Sequence, residues 1–235
     1  MKSTQNISLK IHHCLQQAQK LLNSRLETEL LLAHVLQVSR THLLAWPDQI
    51  LTPEQQQQFQ QLLQRRLQGE SIAHIVGEKE FWSLTLTVSP DTLIPRPETE
   101  LLVETALEKL PANILQNIAD LGTGSGAIAL ALAKERPHWQ ITATDIDSAA
   151  LKIAQYNAKK LALKNITFHQ GNWFKALPAN RQFHAIISNP PYIAENDPHL
   201  DPASLAFEPK HALISDNNGL HDLYLIIAQA KKISH

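Results

Sequence analysis

The sequence predicts a doubly wound parallel α/β sheet preceded by a small all-helical domain, and three observations carry that prediction. Residues up to about Gln68 are rich in Leu and Gln, with apolar residues at helical spacing. From Asn117 onward short β-type runs alternate with helical ones, the texture of strand, crossover helix and parallel strand. The first of those strands runs into Asp120-Leu121-Gly122-Thr123-Gly124-Ser125-Gly126, so three of the seven glycines fall in one loop between a strand and a helix.

In the helical part, Leu26, Leu30, Ala33 and Leu36 are spaced to share a face. Ser24 with Glu27 makes one capping box and Thr52 with Gln55 a second, reinforced by Pro53 in the first turn. The run from Gln55 to Gln58 is the solvated side of that helix. Between Glu80 and Val88 the period changes to two, with Leu84, Leu86 and Val88 facing one way and Thr85 and Thr87 the other, which predicts a short strand or hairpin. Pro95-Arg96-Pro97-Glu98-Thr99-Glu100 follows as a linker ahead of a helix from Leu101 to Leu110. Strands are then predicted at Asn117 to Leu121, Ile141 to Thr144, Ile166 to His169 and Ala185 to Ser188, with helices over 126–136 and 148–161. The expected division is a helical domain over 1–75, a hairpin connector and linker over 76–97, and a ligand-binding α/β domain over 98–235.

Ligands of such sheets lie beyond the carboxyl ends of the strands, where the strand order reverses. The glycine loop stands at such a place and reads as a nucleotide- or nucleoside-binding turn whose backbone approaches the ligand too closely for a Cβ. Its spacing, G-x-G-x-G, differs from the nicotinamide fingerprint, and Ser125 lacks the flanking glycines of a hydrolase elbow. Asp145 closes the second strand, where a carboxylate can accept both ribose hydroxyls, while Asp147 is better suited to cap the next helix. Asn172 and Trp173 follow the third strand, placed to flank an adenine ring, although Trp173 reads equally well as core. Asp120 is placed to orient the amino end of the same ligand.

Ser188-Asn189-Pro190-Pro191-Tyr192-Ile193 ends the fourth strand across the crevice from that loop. The two prolines delete two donors and fix two φ angles, and alone they would make a plain turn. Opposite a ligand loop they can hold the Asn189 side-chain oxygen and a backbone carbonyl on one NH2 group, with Tyr192 as a flat wall beside it.

With these residues the chain resembles the peptide chain release factor glutamine N5-methyltransferase (PrmC/HemK) family of class I S-adenosylmethionine-dependent methyltransferases. N-P-P-Y alone is shared with adenine and guanine methylases; P-R-P-E-T-E, Phe207-Glu208-Pro209 and the helical N-terminal domain narrow the match, which covers essentially the whole chain. The resemblance implies S-adenosylmethionine as methyl donor and S-adenosylhomocysteine as product. It implies cofactor contacts from Asp120, Gly122, Thr123, Gly124, Ser125, Gly126, Asp145, Asn172, Trp173 and Asn189, and substrate contacts from Asn189, Pro190, Pro191 and Tyr192, with Asn189, Pro190 and Tyr192 catalytic. The implied substrate is the glutamine of the Gly-Gly-Gln loop of bacterial release factors, which the N-terminal domain helps to dock. Methylation of an exocyclic amine of nucleic acid, or of a ribosomal-protein glutamine, is the alternative; a noncatalytic ligand-binding regulator would have no need of N-P-P-Y. Asn172 stands where the family commonly has Asp, and Ser71 and His74 where it often has Pro and Tyr. The family's sheet has seven strands, whereas four can be read before His235, so a sheet truncated at its C-terminus, with its fourth strand an uncovered edge, is expected.

Composition bounds the remainder. At 43% hydrophobic and 18% charged, the 235-residue chain can bury a sizeable core. Lys plus Arg number 21 against 22 Asp plus Glu, so there is no basic footprint and DNA is not an expected partner. Cys14 has no second cysteine to pair with, and His12-His13-Cys14 lacks the ligand spacing of a metal site, so no metal is expected. No run approaches the ~18 apolar residues of a membrane span, and Met1 to Asn6 leads into no signal-peptide core. A cytoplasmic monomer is expected. Arg96 and Glu98 either line the substrate entrance or tie the linker to the sheet.

Overall fold

The computed structural model describes residues 9–179, 181–198 and 207–230. The chain divides into two compact units between Val76 and Gly77. The expectations about the first six residues and about an ending at His235 lie outside the described residues.

The first unit consists of α1 (Ile11–Leu22), α2 (Arg25–Leu36), α3 (Arg40–Ala45), α4 (Pro53–Leu67) and α5 (Ile72–Val76). Its core gathers Ile11, Leu31, Leu32, Leu43 and Phe59. The predicted stripe on α2 holds in part: Ala33 is buried and Leu30 and Leu36 are half-buried, but Leu26 is exposed, and Leu31 and Leu32 outside the stripe are buried as well. The helix packs against α1, α3, α4 and α5, so it buries more than one face. Both halves of the Thr52–Gln55 capping box form, at 3.2 and 2.9 Å. Only half of the Ser24–Glu27 box does: Ser24 Oγ accepts from Glu27 N–H at 3.3 Å, but the Glu27 carboxylate turns away to Arg66 at 2.9 and 3.0 Å. A bidentate guanidinium is a stronger donor than one neutral backbone N–H.

The second unit opens with the antiparallel hairpin of β1 (Glu78–Phe81) and β2 (Leu84–Thr87), two residues earlier than the period change indicates. Leu84, Leu86 and Val88 are buried, as their alternation predicts. A short turn over Pro97–Thr99 leads into α6 (Glu100–Lys109), followed by β3 (Asn117–Leu121), α7 (Ala127–Glu135), β4 (Gln140–Asp145), α8 (Ser148–Lys160), β5 (Ile166–Gln170), β6 (Ala185–Ser188) and α9 (His221–Ala230). The strands pair in parallel in the order β5-β4-β3-β6, so two match the predicted bounds and two extend them by a residue at one or both ends. Phe81 and Leu86 of the hairpin share one core with Ile118, Leu130, Trp139 and Ile141. From β3 the chain passes to β4 on one side, whereas β6 is added on the other. That reversal opens a crevice between the carboxyl ends of β3 and β6. Among the described residues no helix is long and apolar enough to cross a membrane.

Candidate active site

The floor of the crevice is the glycine loop. Gly122 and Thr123 N–H both donate to Thr144 O at 2.9 Å, which turns the chain away from β3. The glycines serve different ends. A Cβ on Gly124, at φ +57°, would meet nothing within 4 Å. A Cβ on Gly126 would lie 2.8 Å from Leu130 Cδ1 and 3.2 Å from Ala154 Cβ. Gly126 therefore answers to helix packing, and the expectation of backbone bared to a ligand fits Gly124 alone. Asp120, Thr123 and Ser125 are buried beneath the loop and do not line the crevice. Asp120 accepts from Thr123 Oγ1 at 2.6 Å, and its pKa is pushed up to about 7, chiefly by burial, against the pull of Thr123 and the Ala129 N–H. Asn157, which no motif singles out, pins the loop from behind: its Nδ2 donates to Ser125 O and Thr87 O, and its Oδ1 accepts from Thr87 N–H.

One wall comes from β4 and the segment after β5. Asp145 Oδ2 accepts from Gly124 N–H at 2.8 Å and Oδ1 from Asp147 N–H at 3.0 Å, while burial pushes its pKa upward. Asp147 caps α8 through Ala149 N–H at 2.7 Å, as expected of it. Trp173 lines the crevice and packs against the cluster of Phe174 and Ile226. Its ring edge would lie 3.1 Å from a Cβ added to Gly122, and its Nε1 donates to Asp222 Oδ1 at 3.2 Å.

The opposite wall is the stretch after β6. Ser188 Oγ donates to Leu121 O at 2.7 Å, locking the ends of the two strands together. Asn189 Nδ2 donates to Thr99 Oγ1 at 3.2 Å, so the P-R-P-E-T-E segment orients this amide. Pro190 is buried, and Tyr192 is 58% exposed and outside the lining of the crevice. Arg96 lies outside the crevice lining. It donates to Glu208 Oε1 at 2.6 Å, while Glu208 Oε2 accepts from Ile94 N–H, which ties the linker to Phe207-Glu208-Pro209. Glu98 is exposed.

Gly122, Gly124, Asp145, Asn172, Trp173, Asn189, Pro190 and Pro191 thus meet around one cavity of about 220 Å³. Thr92, His211 and Asp222 also line it, and local sequence patterns do not reveal them. One polar, partly charged wall faces a rigid amide and proline wall, an arrangement that can hold a nucleoside against an NH2 group.

Residues 10–77 match the PrmC N-terminal domain family, and residues 97–213 match the methyltransferase small domain family. The release factor glutamine methyltransferase of Coxiella burnetii is 54% identical over 207 residues, covering 88% of this chain and 74% of that protein. The release factor glutamine methyltransferase of Escherichia coli is 51% identical over 221 residues, covering 94% of this chain and 79% of that protein. Among solved structures, the human METTL16 catalytic domain, in complex with a 3′UTR hairpin, is 19% identical with a TM-score of 0.50, covering 64% of this chain and 58% of that one. That likeness is one of fold. With half of its residues shared over most of both proteins, this chain belongs to the release factor glutamine methyltransferase family.

Proposed function

We propose that this enzyme transfers a methyl group from S-adenosylmethionine to the side-chain amide nitrogen of the glutamine in the Gly-Gly-Gln motif of peptide chain release factors. One observation carries the reading: a single cavity joins Gly124 and Asp145 to Asn189 and Pro190. The residues present fit the cofactor. Gly124 leaves open space where a side chain would stand. A carboxylate has about four acceptor positions, and Asp145 spends two of them on Gly124 and Asp147 N–H. The others remain for a pair of ribose hydroxyls, which would also offset the penalty that burial places on its charge.

S-adenosylmethionine supplies an electrophilic methyl carbon whose bond to sulfur breaks as the bond to nitrogen forms, leaving S-adenosylhomocysteine. The protein supplies placement. Asn189 has its Nδ2 committed to Thr99, so its Oδ1 is the end that accepts from the substrate NH2. As the amide nitrogen gains positive charge its N–H groups become stronger donors, and fixed acceptors at Asn189 Oδ1 and the Pro190 carbonyl hold that charge more tightly than the ground state. The nitrogen then loses one proton to water, and no strong base is required. Exposed Tyr192 is available to the incoming protein. The helical unit, with Leu44, Trp46 and Ile50 exposed, is suited to docking it. In this reading the enzyme works as a monomer in the cytoplasm.

The test incubates the full chain and methyl-labelled S-adenosylmethionine with an intact release factor, with the same factor carrying Gly-Gly-Ala, with ribosomal protein and with DNA. Label on the intact factor alone is expected. Asn189→Ala should lower kcat by about 10²–10³ while cofactor affinity stays nearly unchanged. Label on DNA or ribosomal protein instead would remove the substrate assignment, and a near-normal rate for Asn189→Ala would remove the mechanism.

A further inference from the structure

We infer that Asp222 is a positioning residue that holds Trp173 as a fixed wall of the cofactor cavity and ties that wall to the loop carrying Asn189. The inference rests on the reading of the cavity given above. Trp173 is strained where it stands. Its φ is +43°, a region that a bulky aromatic residue occupies only when its surroundings compel it. Two contacts do so: the slot over Gly122, where an added Cβ would lie 3.1 Å from the ring, and the hydrogen bond from Nε1 to Asp222 Oδ1.

Asp222 lies in the first turn of α9, where an acidic residue ordinarily serves the helix end. Its hydrogen bonds say otherwise. Oδ1 accepts from Trp173, and Oδ2 accepts from Ser215 Oγ at 2.7 Å. The Asp222 N–H in turn donates to Ser215 Oγ at 3.2 Å, a reciprocal pair that fixes the carboxylate from both sides. Ser215 is 4% exposed and is joined by its backbone to the loop after β6. Its N–H donates to Ile193 O, and the Ile193 N–H donates to Leu213 O, both at 3.0 Å. An unbroken series of hydrogen bonds therefore runs from the Trp173 indole through Asp222 and Ser215 to Ile193, four residues beyond Asn189. The turn between Ser215 and Asp222 is seated as closely: a Cβ on Gly219 would lie 2.3 Å from Tyr192 O.

The test measures S-adenosylhomocysteine binding by calorimetry, and tryptophan emission of the unliganded full chain, for Asp222→Leu, Asp222→Asn, Ser215→Ala and Trp173→Phe. Asp222→Leu is expected to weaken binding about tenfold, the loss of one hydrogen bond to a charged acceptor. Asp222→Asn keeps an acceptor for the indole and should stay within about threefold of wild type. The emission change caused by Asp222→Leu should vanish when Trp173 is already Phe, because only that indole has lost its partner. Should Asp222→Leu fail to fold, Ser215→Ala, which frees one carboxylate oxygen, is expected to weaken binding and shift the same emission. Asp222→Leu binding as wild type does, an emission change that persists without Trp173, or a silent Ser215→Ala would each overturn the proposal while leaving the cavity assignment intact. A wild-type chain that binds no S-adenosylhomocysteine would overturn the cavity assignment itself, and this proposal with it.

Discussion

Replacing Asn157 with alanine is expected to destabilise the second unit by about 3 kcal/mol and to loosen the glycine loop. Asn157 is 0% exposed on α8. Its Oδ1 accepts from Thr87 N–H at 2.8 Å, and its Nδ2 donates to Thr87 O and Ser125 O, each at 2.9 Å. One side chain therefore binds the second strand of the hairpin to the loop that presents Gly124. Each such bond is worth about 1 kcal/mol net, and alanine leaves three backbone groups without their partner. In a unit of this size a kcal/mol moves the melting midpoint by roughly 2–4 °C, so a fall of roughly 6–12 °C is expected. Asn157→Asp is the sharper variant. It keeps the shape and the acceptor for Thr87 N–H, but turns a charged oxygen toward two carbonyls, so it should destabilise at least as much as alanine. Calorimetry of the full chain measures the midpoints, and titration with S-adenosylhomocysteine reports the loop. An Asn157→Asp midpoint within about 2 °C of wild type would refute the hydrogen-bond reasoning, and unchanged affinity in the alanine variant would refute the link to the loop.

Asp120 has its pKa raised from about 3.9 in the unfolded chain to about 7 in the fold. The folded chain then binds more protons than the unfolded one between those values, so this group's contribution to stability is lost as pH rises through that window. Asp120→Asn should flatten the decline, read as urea midpoints from pH 5 to 8, and parallel curves for the two proteins would count against it. Gly219→Ala forces a Cβ against Tyr192 O at φ +83°; displacing that loop should lower kcat by about tenfold or more, and wild-type kcat would disprove the close seating. Both ring nitrogens of His74 are buried without a hydrogen-bond partner among the described residues. His74→Phe should therefore raise the melting temperature by a few degrees, whereas a lower one would mean that the imidazole is satisfied.

The sheet was legible because each strand is a short apolar run closed by a residue with its own turn chemistry. Leu121 gives way to glycine and Asp145 to the Asp147 cap, and β3 and β6 have the predicted bounds. Periodicity also found the hairpin, since one face of β2 is buried and the other is not. On α2 it found Ala33 but missed Leu31 and Leu32, because a single stripe was expected of a helix enclosed by four others. It failed on Glu27 too, where a local rule assigned the carboxylate to a backbone N–H and Arg66, 39 residues away, took it instead.

The site divides along the same line. Gly124, Asp145 and Asn189 were legible because each stands at the end of a strand, and the order of strands alone brings those ends together. The residues that hold them in place were not legible. Asn157 meets Thr87 across 70 positions, Trp173 meets Asp222 across 49, and Arg96 meets Glu208 across 112. No pattern with a period of two or 3.6 residues spans such distances. Even P-R-P-E-T-E and F-E-P, conspicuous as words, carried no sign of joining each other. Their meeting is one ion pair, with the Glu208 side chain 5% exposed and the Arg96 side chain 40% exposed. Losing Arg96 would leave a buried carboxylate with only the Ile94 N–H among the described residues, a larger loss than that of an exposed pair. That asymmetry explains why a linker arginine outside the cavity lining, and an acidic residue beyond the last described strand, belong to one motif set: together they anchor the segment that carries Thr99, and Thr99 orients the Asn189 amide on which the chemistry depends.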